Sequence, residues 1–226
     1  MVQEGGIMAK KAELERFHRD TISAVAGTLF AEKGIEKTTM DDIAKKAEYS
    51  KATLYAYFKS KEEIFQYAAL KGMHMLHNEF NKIASEDGGA INQYMAMCEV
   101  LANFYEKYPL YFQSMLDTIA SDEQSRAQSE VLEAVYQVGE SLNKNIENLL
   151  QKGVREGVFK EDLSCAPTGF VHWAALSGIV SMAGKKQEYV SQRMGLDKKE
   201  IMRFGFQIML ASIVKNGVFP GGYSKE

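Results

Sequence analysis

The segment TTMDDIAKKAEYSKATLYAYFKSKEEIF, residues 38–65, gathers lysines, tyrosines and small hydroxyl residues around two short apolar patterns. Lys51, Thr53, Tyr55 and Tyr57 are the types that suit a polyphosphate: an ammonium neutralises phosphate, and Thr and Tyr hydroxyls hydrogen-bond its oxygens. Thr39 and Ser50 stand where helices would begin, and the exposed N–H groups and positive dipole end of a helix start add to the attraction for an anion. A capped helical hairpin with a solvated lysine face has the same residue types, so the wider pattern has to separate the two.

That pattern is a series of helix starts. Ile22, Val25, Ala26, Leu29 and Phe30 recur at the spacing of one helical face, and Gly34 ends a first helix of about five turns. Thr39 followed by Asp42 reads as a capping box, with Ile43, Ala44 and Ala47 as a small apolar face behind it. Ser50 opens a second short helix in which Leu54 and Phe58 point one way. The run from Ser60 to Glu63 is a further capping box, starting a longer helix through Ile64, Phe65 and Ala68. Three starts within about twenty residues are what a two-helix unit with a tight turn requires. Packing Ile43, Ala47, Leu54 and Phe58 on the first helix leaves Lys51, Thr53, Tyr55 and Tyr57 outside.

The whole chain has 226 residues, 46% hydrophobic and 25% charged, with a formal net charge of -3. Such a chain can bury a core and is no general polyanion binder. Its charge is uneven: 11 Lys and Arg oppose 9 Asp and Glu through Lys61, and 16 oppose 21 in the remainder. The basic end is therefore the end with the helix starts. Two cysteines, Cys98 and Cys165, lie far apart and indicate neither a disulfide framework nor a zinc knuckle. Three prolines and no sustained alternation of apolar and polar residues point to an all-α fold. The first residues lack an apolar run of signal length, and the longest apolar stretch, GFVHWAALSGIVSMAG, is broken by His172 and short for a bilayer. A cytoplasmic protein with no membrane span is expected.

The residues from Leu29 to Phe65, LFAEKGIEKTTMDDIAKKA followed by YSKATLYAYFKSKEEIF, resemble the DNA-binding domain of the tetracycline-repressor-like (TetR) family of bacterial regulators. The order Phe30, Gly34, Thr39, Ile43, Ala44, Ala47, Ser50, Thr53, Leu54, Tyr55, Tyr57, Phe58, Lys61 follows the family pattern, and GVREGVF is similar to a turn between two late helices. The resemblance implies a three-helix helix-turn-helix domain over residues 1–60 and a larger helical-bundle domain for ligand binding and dimerisation over residues 61–226. It also implies roles. Thr39 caps the second helix against a phosphate; Ser50, Lys51, Ala52, Thr53 and Tyr55 open the recognition helix in the major groove; Tyr57 and Lys61 clamp the DNA backbone. Base contact falls to Lys51, Ala52 and Thr53, because lysine reaches guanine acceptors and a methyl touches that of thymine. The sequence departs from the pattern at Glu48, where glycine is common in the turn, and at Ala56.

Beyond Phe65 the residues give apolar helices. Tyr94, Met95, Cys98, Leu101, Ala102, Tyr105 and Tyr108 form one stripe, and Met97, Val100 and Phe104 another. Bundle core accounts for any one of them. Together, Met95, Cys98, Phe104, Tyr108, Tyr111, Phe112 and Met115, with Trp173, suit an adaptable cavity for a lipophilic, partly aromatic molecule. The segments 168–186 and 201–213 are apolar on too many sides for one subunit, so a homodimer is expected through Ala174, Gly178, Ser181, Phe204, Ile208 and Ala211. No metal or cofactor site is expected: His74 and His77 lack a third ligand, and only one Glu-x-x-His unit, Glu15 to His18, occurs. Nucleophile-elbow, Walker and zinc-protease motifs are absent, so an enzyme is not expected.

The expected function is a ligand-responsive dimeric regulator, a repressor by default, of a palindromic double-stranded DNA operator. Two alternatives stay open. A DNA-binding dimer without an effector would have its pocket closed by side chains, and a helical-bundle enzyme or carrier would enclose a metal or a reactive pair.

Overall fold

The computed structural model describes residues 2–118 and 123–215, with side chains from Ala9 onward. Among the described residues there are eleven α-helices and one isolated antiparallel bridge, between Phe159 and Val214. The all-α expectation holds. The chain forms two compact units, Met1–Gly72 with Leu110–Tyr136, and Met73–Pro109 with Gln137–Glu226.

In the first unit, α1 (Val2–Lys33) packs on α2 (Met40–Lys46) and α3 (Lys51–Tyr57). Ile22, Ala26, Leu29 and Phe30 of α1 meet Ile43, Ala44, Leu54, Phe58 and Ile64 in one buried cluster. Each large side chain sequestered there stabilises the fold by about 1.5–3 kcal/mol. α1 is longer than its apolar periodicity predicts. Its first half is rich in Ala, Lys, Glu, Leu and Arg, which favour helix without an apolar face, and it leaves Leu14 and Phe17 exposed.

The unit also takes in the start of α4 (Lys61–Ser85), α6 (Pro109–Asp117), α7 (Glu123–Ala127) and the start of α8 (Glu130–Arg155). Missing side chains make room for α6: Leu110 lies against Gly27, and a Cβ on Gly72 would stand 2.9 Å from Tyr111 Cβ and 3.0 Å from Met115 Sδ. The two compact units thus divide the chain inside α4 and α8.

The second unit is built on α5 (Ala90–Lys107), α9 (Cys165–Lys185), α10 (Gln187–Met194) and α11 (Lys198–Ile213), with α9 packed on α5, α10 and α11. The GVREGVF segment, residues 153–159, holds the end of α8 and the turn that follows it. Gly157 has φ +70°, and the Phe159 ring covers Gly153, where any Cβ would collide. Lys160 N donates to Ile213 O at 2.9 Å and Lys215 N to Val158 O at 3.0 Å, which ties this turn to the end of α11.

Candidate nucleic-acid interface and C-terminal cavity

All three helix starts form as the caps predict, with one shift. Thr39 Oγ1 accepts from Asp42 N at 3.1 Å while Asp42 Oδ2 accepts from Thr39 N at 3.0 Å, a complete capping box. Ser50 Oγ accepts from Thr53 N at 3.0 Å. Ser60 Oγ accepts from Glu63 N at 3.2 Å, but the Glu63 carboxylate reaches past the cap to Lys59 N at 2.6 Å. Asp42 also takes Lys33 Nζ at 2.7 Å, fastening α2 to α1. The Lys33 ammonium, and then the Thr39 donors, hold its carboxyl well below the usual carboxylate range.

Between α2 and α3 the backbone makes a Schellman turn. Tyr49 N donates to Ala44 O at 3.0 Å and Glu48 N to Lys45 O at 3.4 Å, with Glu48 at φ +60°. A side chain at that φ costs about 1–2 kcal/mol, so Glu48 is strained where glycine would be relaxed.

The turn aims α3 so that Leu54 is buried while Lys51, Ala52 and Tyr55 are exposed and Thr53 is half-buried. Three of the expected DNA contacts are engaged in ways that the sequence does not show. Lys51 Nζ pairs with Asp41 Oδ1 at 2.7 Å and Oδ2 at 3.0 Å, and this partner raises the lysine pKa. Tyr57 is half-buried, its ring 5.2 Å from that of His18, whose Nδ1 lies 2.6 Å from Tyr49 Oη. Lys61 Nζ donates to Ile35 O at 2.8 Å and Glu36 O at 3.0 Å, bracing the loop before α2. At the start of α3, Ala52 and Tyr55 are thus exposed without such engagement, Lys51 is exposed but held by Asp41, and the half-buried Thr53 has its Oγ1 2.7 Å from Ser50 Oγ. His18 is an unexpected member of this region; its local spacing marks it only as a Glu-x-x-His unit with Glu15.

In the second unit, a cavity of about 30 Å³ lies among α4, α5, α8 and α9, with Met97, Leu101, Ile146, Leu150 and Trp173 among its apolar walls. Of the residues expected to line a ligand site, Cys98 and Trp173 do. Met95 is not among the lining residues, and Phe104 and Tyr108 pair with each other at 5.3 Å at the far end of α5. Tyr111, Phe112 and Met115 belong to α6 in the first unit. The cavity's strongest polar groups are two that the sequence left unassigned, Tyr94 and His172, whose Oη and Nδ1 lie 2.8 Å apart. Burial lowers the His172 pKa and raises those of Tyr94 and Cys98. A protonated buried thiol is no nucleophile, so Cys98 beside His172 is not a reactive pair. Among the described residues no three His, Cys, Asp or Glu are placed to hold a metal ion.

α9 exposes Phe170, Val171, Ala174, Gly178 and Met182, and α11 exposes Phe204 and Ile208, with Ala211 half-buried. Ser181, expected on this face, is buried within the subunit. The close approach of α9 and α11 rests on Gly205, where a Cβ would stand 2.8 Å from Ile179 Cγ2, while open space faces Gly178. Among the described residues no helix is long and apolar enough to cross a membrane.

A capped helix, a left-handed turn and a second short helix with an exposed N-terminal half, built on a long first helix, define a helix-turn-helix module joined to an all-helical second unit. Residues 22–68 match the model for bacterial regulatory proteins of the tetR family. The helix-turn-helix segment is thus similar to the N-terminal domain of that family. Over 91 residues it is 34% identical to IcaR of Staphylococcus aureus, the HTH-type negative transcriptional regulator of the biofilm operon icaADBC, covering 40% of this chain. It spans about half, 49%, of that relative's length. The ketosteroid transcriptional regulator KstR2 of Mycobacterium tuberculosis has the same fold at 20% identity and TM-score 0.67, over 88% of this chain and 95% of its own. So does SmeT of Stenotrophomonas maltophilia, in its complex with triclosan, at 21% identity and TM-score 0.66, over 92% and 97%. The relatives are transcriptional regulators, not enzymes.

Proposed function

We propose that the chain is a cytoplasmic, homodimeric repressor that binds a palindromic operator through α3 and changes its DNA affinity when a lipophilic, partly aromatic molecule enters the second unit. The observation that carries the DNA half is the Schellman turn at Glu48, which leaves Lys51, Ala52 and Tyr55 exposed and Thr53 half-buried at the start of a short helix. In this proposal residues 1–60 read DNA and residues 61–226 bind ligand and dimerise. The exposed apolar faces of α9 and α11 support the dimer, which would set two α3 helices about 34–36 Å apart on successive turns of one DNA face. The apolar cavity supports the effector, and a regulator named for ketosteroids and one complexed with triclosan are in keeping with it.

One observation favours the effector-free alternative: at about 30 Å³ the cavity has room for about one water. An effector must therefore open it, and the flexible Met97 and the half-buried Trp173 are the walls that can move. Selection of bound duplexes from a randomised pool, followed by titration of the winner with candidate effectors, tests both halves. A palindrome whose affinity drops several-fold on effector addition is expected; a palindrome indifferent to every cavity-binding compound favours the alternative.

A further inference from the structure

Hydrogen-bond directions around His172 can be worked out from one end. Ser212 Oγ donates to Met209 O at 2.6 Å, which uses its single hydrogen. Its oxygen, 3.3 Å from His172 Nε2, therefore accepts from that nitrogen. A neutral imidazole carries one N–H, so Nδ1 is bare and accepts from the Tyr94 hydroxyl at 2.8 Å. Burial of His172 favours this neutral form. Tyr94 has now used its only hydrogen, and its oxygen is left with acceptor capacity. The Cys98 thiol lies near Tyr94, but a thiol is a weak donor that a ligand hydroxyl can replace.

We propose that the cavity selects a neutral apolar molecule carrying one hydroxyl, an alcohol or phenol, over an ether or carboxylate with the same body. This rests on the reading that the second unit takes a small molecule. No lysine or arginine lines the cavity, so a carboxylate would be desolvated without a counter-charge. An ether and a phenol of the same body make the same apolar contacts with the walls; only the hydroxyl adds the bond to Tyr94. The relay also ends on α11, so occupancy at Tyr94 is felt through His172 at Ser212.

The test uses the full-length protein and three matched probes, 4-butylphenol, 4-butylanisole and 4-butylbenzoate, with the fluorescence of the single tryptophan, Trp173, as readout. The phenol is expected to bind about ten-fold or more tightly than the ether, and the benzoate more weakly still. Ser212→Ala, at an exposed position, removes the acceptor that fixes the imidazole tautomer. Tyr94 can then donate to a ligand, and the gap between phenol and ether should narrow. Ether or benzoate binding as tightly as phenol overturns the selectivity and leaves the ligand reading standing. Failure of all three to bind overturns both.

Discussion

Lys51 Nζ and the Asp41 carboxylate face each other across the helix-turn-helix, 2.7 and 3.0 Å from the two oxygens, so the cation that the proposed function sets against a base edge is held by α2. Both side chains are exposed, and solvent screening keeps such a pair weak enough for DNA to break. Asp41 thus competes with phosphate for Lys51 and adds its own repulsion. Asp41→Asn should raise affinity for random-sequence DNA about ten-fold at low salt and steepen the salt dependence by roughly one phosphate contact. Fluorescence anisotropy across a salt series measures this; an unchanged slope would mean that Lys51 does not meet the backbone when released.

Glu48 links backbone strain to charge at the same surface. Glu48→Gly should stabilise the protein by about 1 kcal/mol by relieving the left-handed side chain, after the extra freedom glycine gains in the unfolded chain is subtracted. It should also tighten DNA binding. Thermal unfolding and anisotropy together check this, and Glu48→Ala separates the two effects because it removes the charge but keeps the strain.

A face that is open in the subunit should be closed in the dimer. Gly178→Asp or Ile208→Asp should produce monomers that bind a half-site but lose tight palindrome binding, because a buried unpaired carboxylate opposes assembly. Sedimentation at micromolar concentration reads the outcome. Wild-type monomers there would remove the dimer from the account.

Two imidazoles, the buried His172 and the exposed His74, make stability pH-dependent in a definite direction. His172 and His74 have folded pKa values below the ordinary 6.5, each first by desolvation and His74 also by His77. Below about pH 6.5 the unfolded chain binds protons that the folded chain refuses, so stability is fully present above that value and falls on acidification. The thermal midpoint should drop between pH 7 and pH 5.5, and less so in His172→Gln.

Local chemistry was legible in the sequence, and distant pairing was not. Thr39, Ser50 and Ser60 announce helix starts because a cap and the N–H it serves are two or three residues apart. Ile22, Leu29, Ile43 and Leu54 announce the core because their spacing repeats. Lys61 read as a phosphate clamp, yet it serves carbonyls 25 and 26 residues upstream. Tyr94 and His172 are 78 residues apart, and only the packing of α9 on α5 makes them neighbours. Tyr111 and Met115 looked like cavity lining because they are apolar and follow α5. Their place over Gly72 depends on a missing side chain in another helix, which periodicity within α6 cannot reveal.

The central claim is that α3 reads DNA, and the most direct measurement is the affinity of wild-type, Lys51→Ala and Thr53→Ala proteins for the selected palindrome and for single-base variants of it. Both positions project away from the buried Leu54, so the variants should keep the wild-type thermal midpoint. Each is expected to lose about ten-fold or more on the intact palindrome and to lose its discrimination at one base position. Wild-type affinity and base preference in both variants would contradict the account.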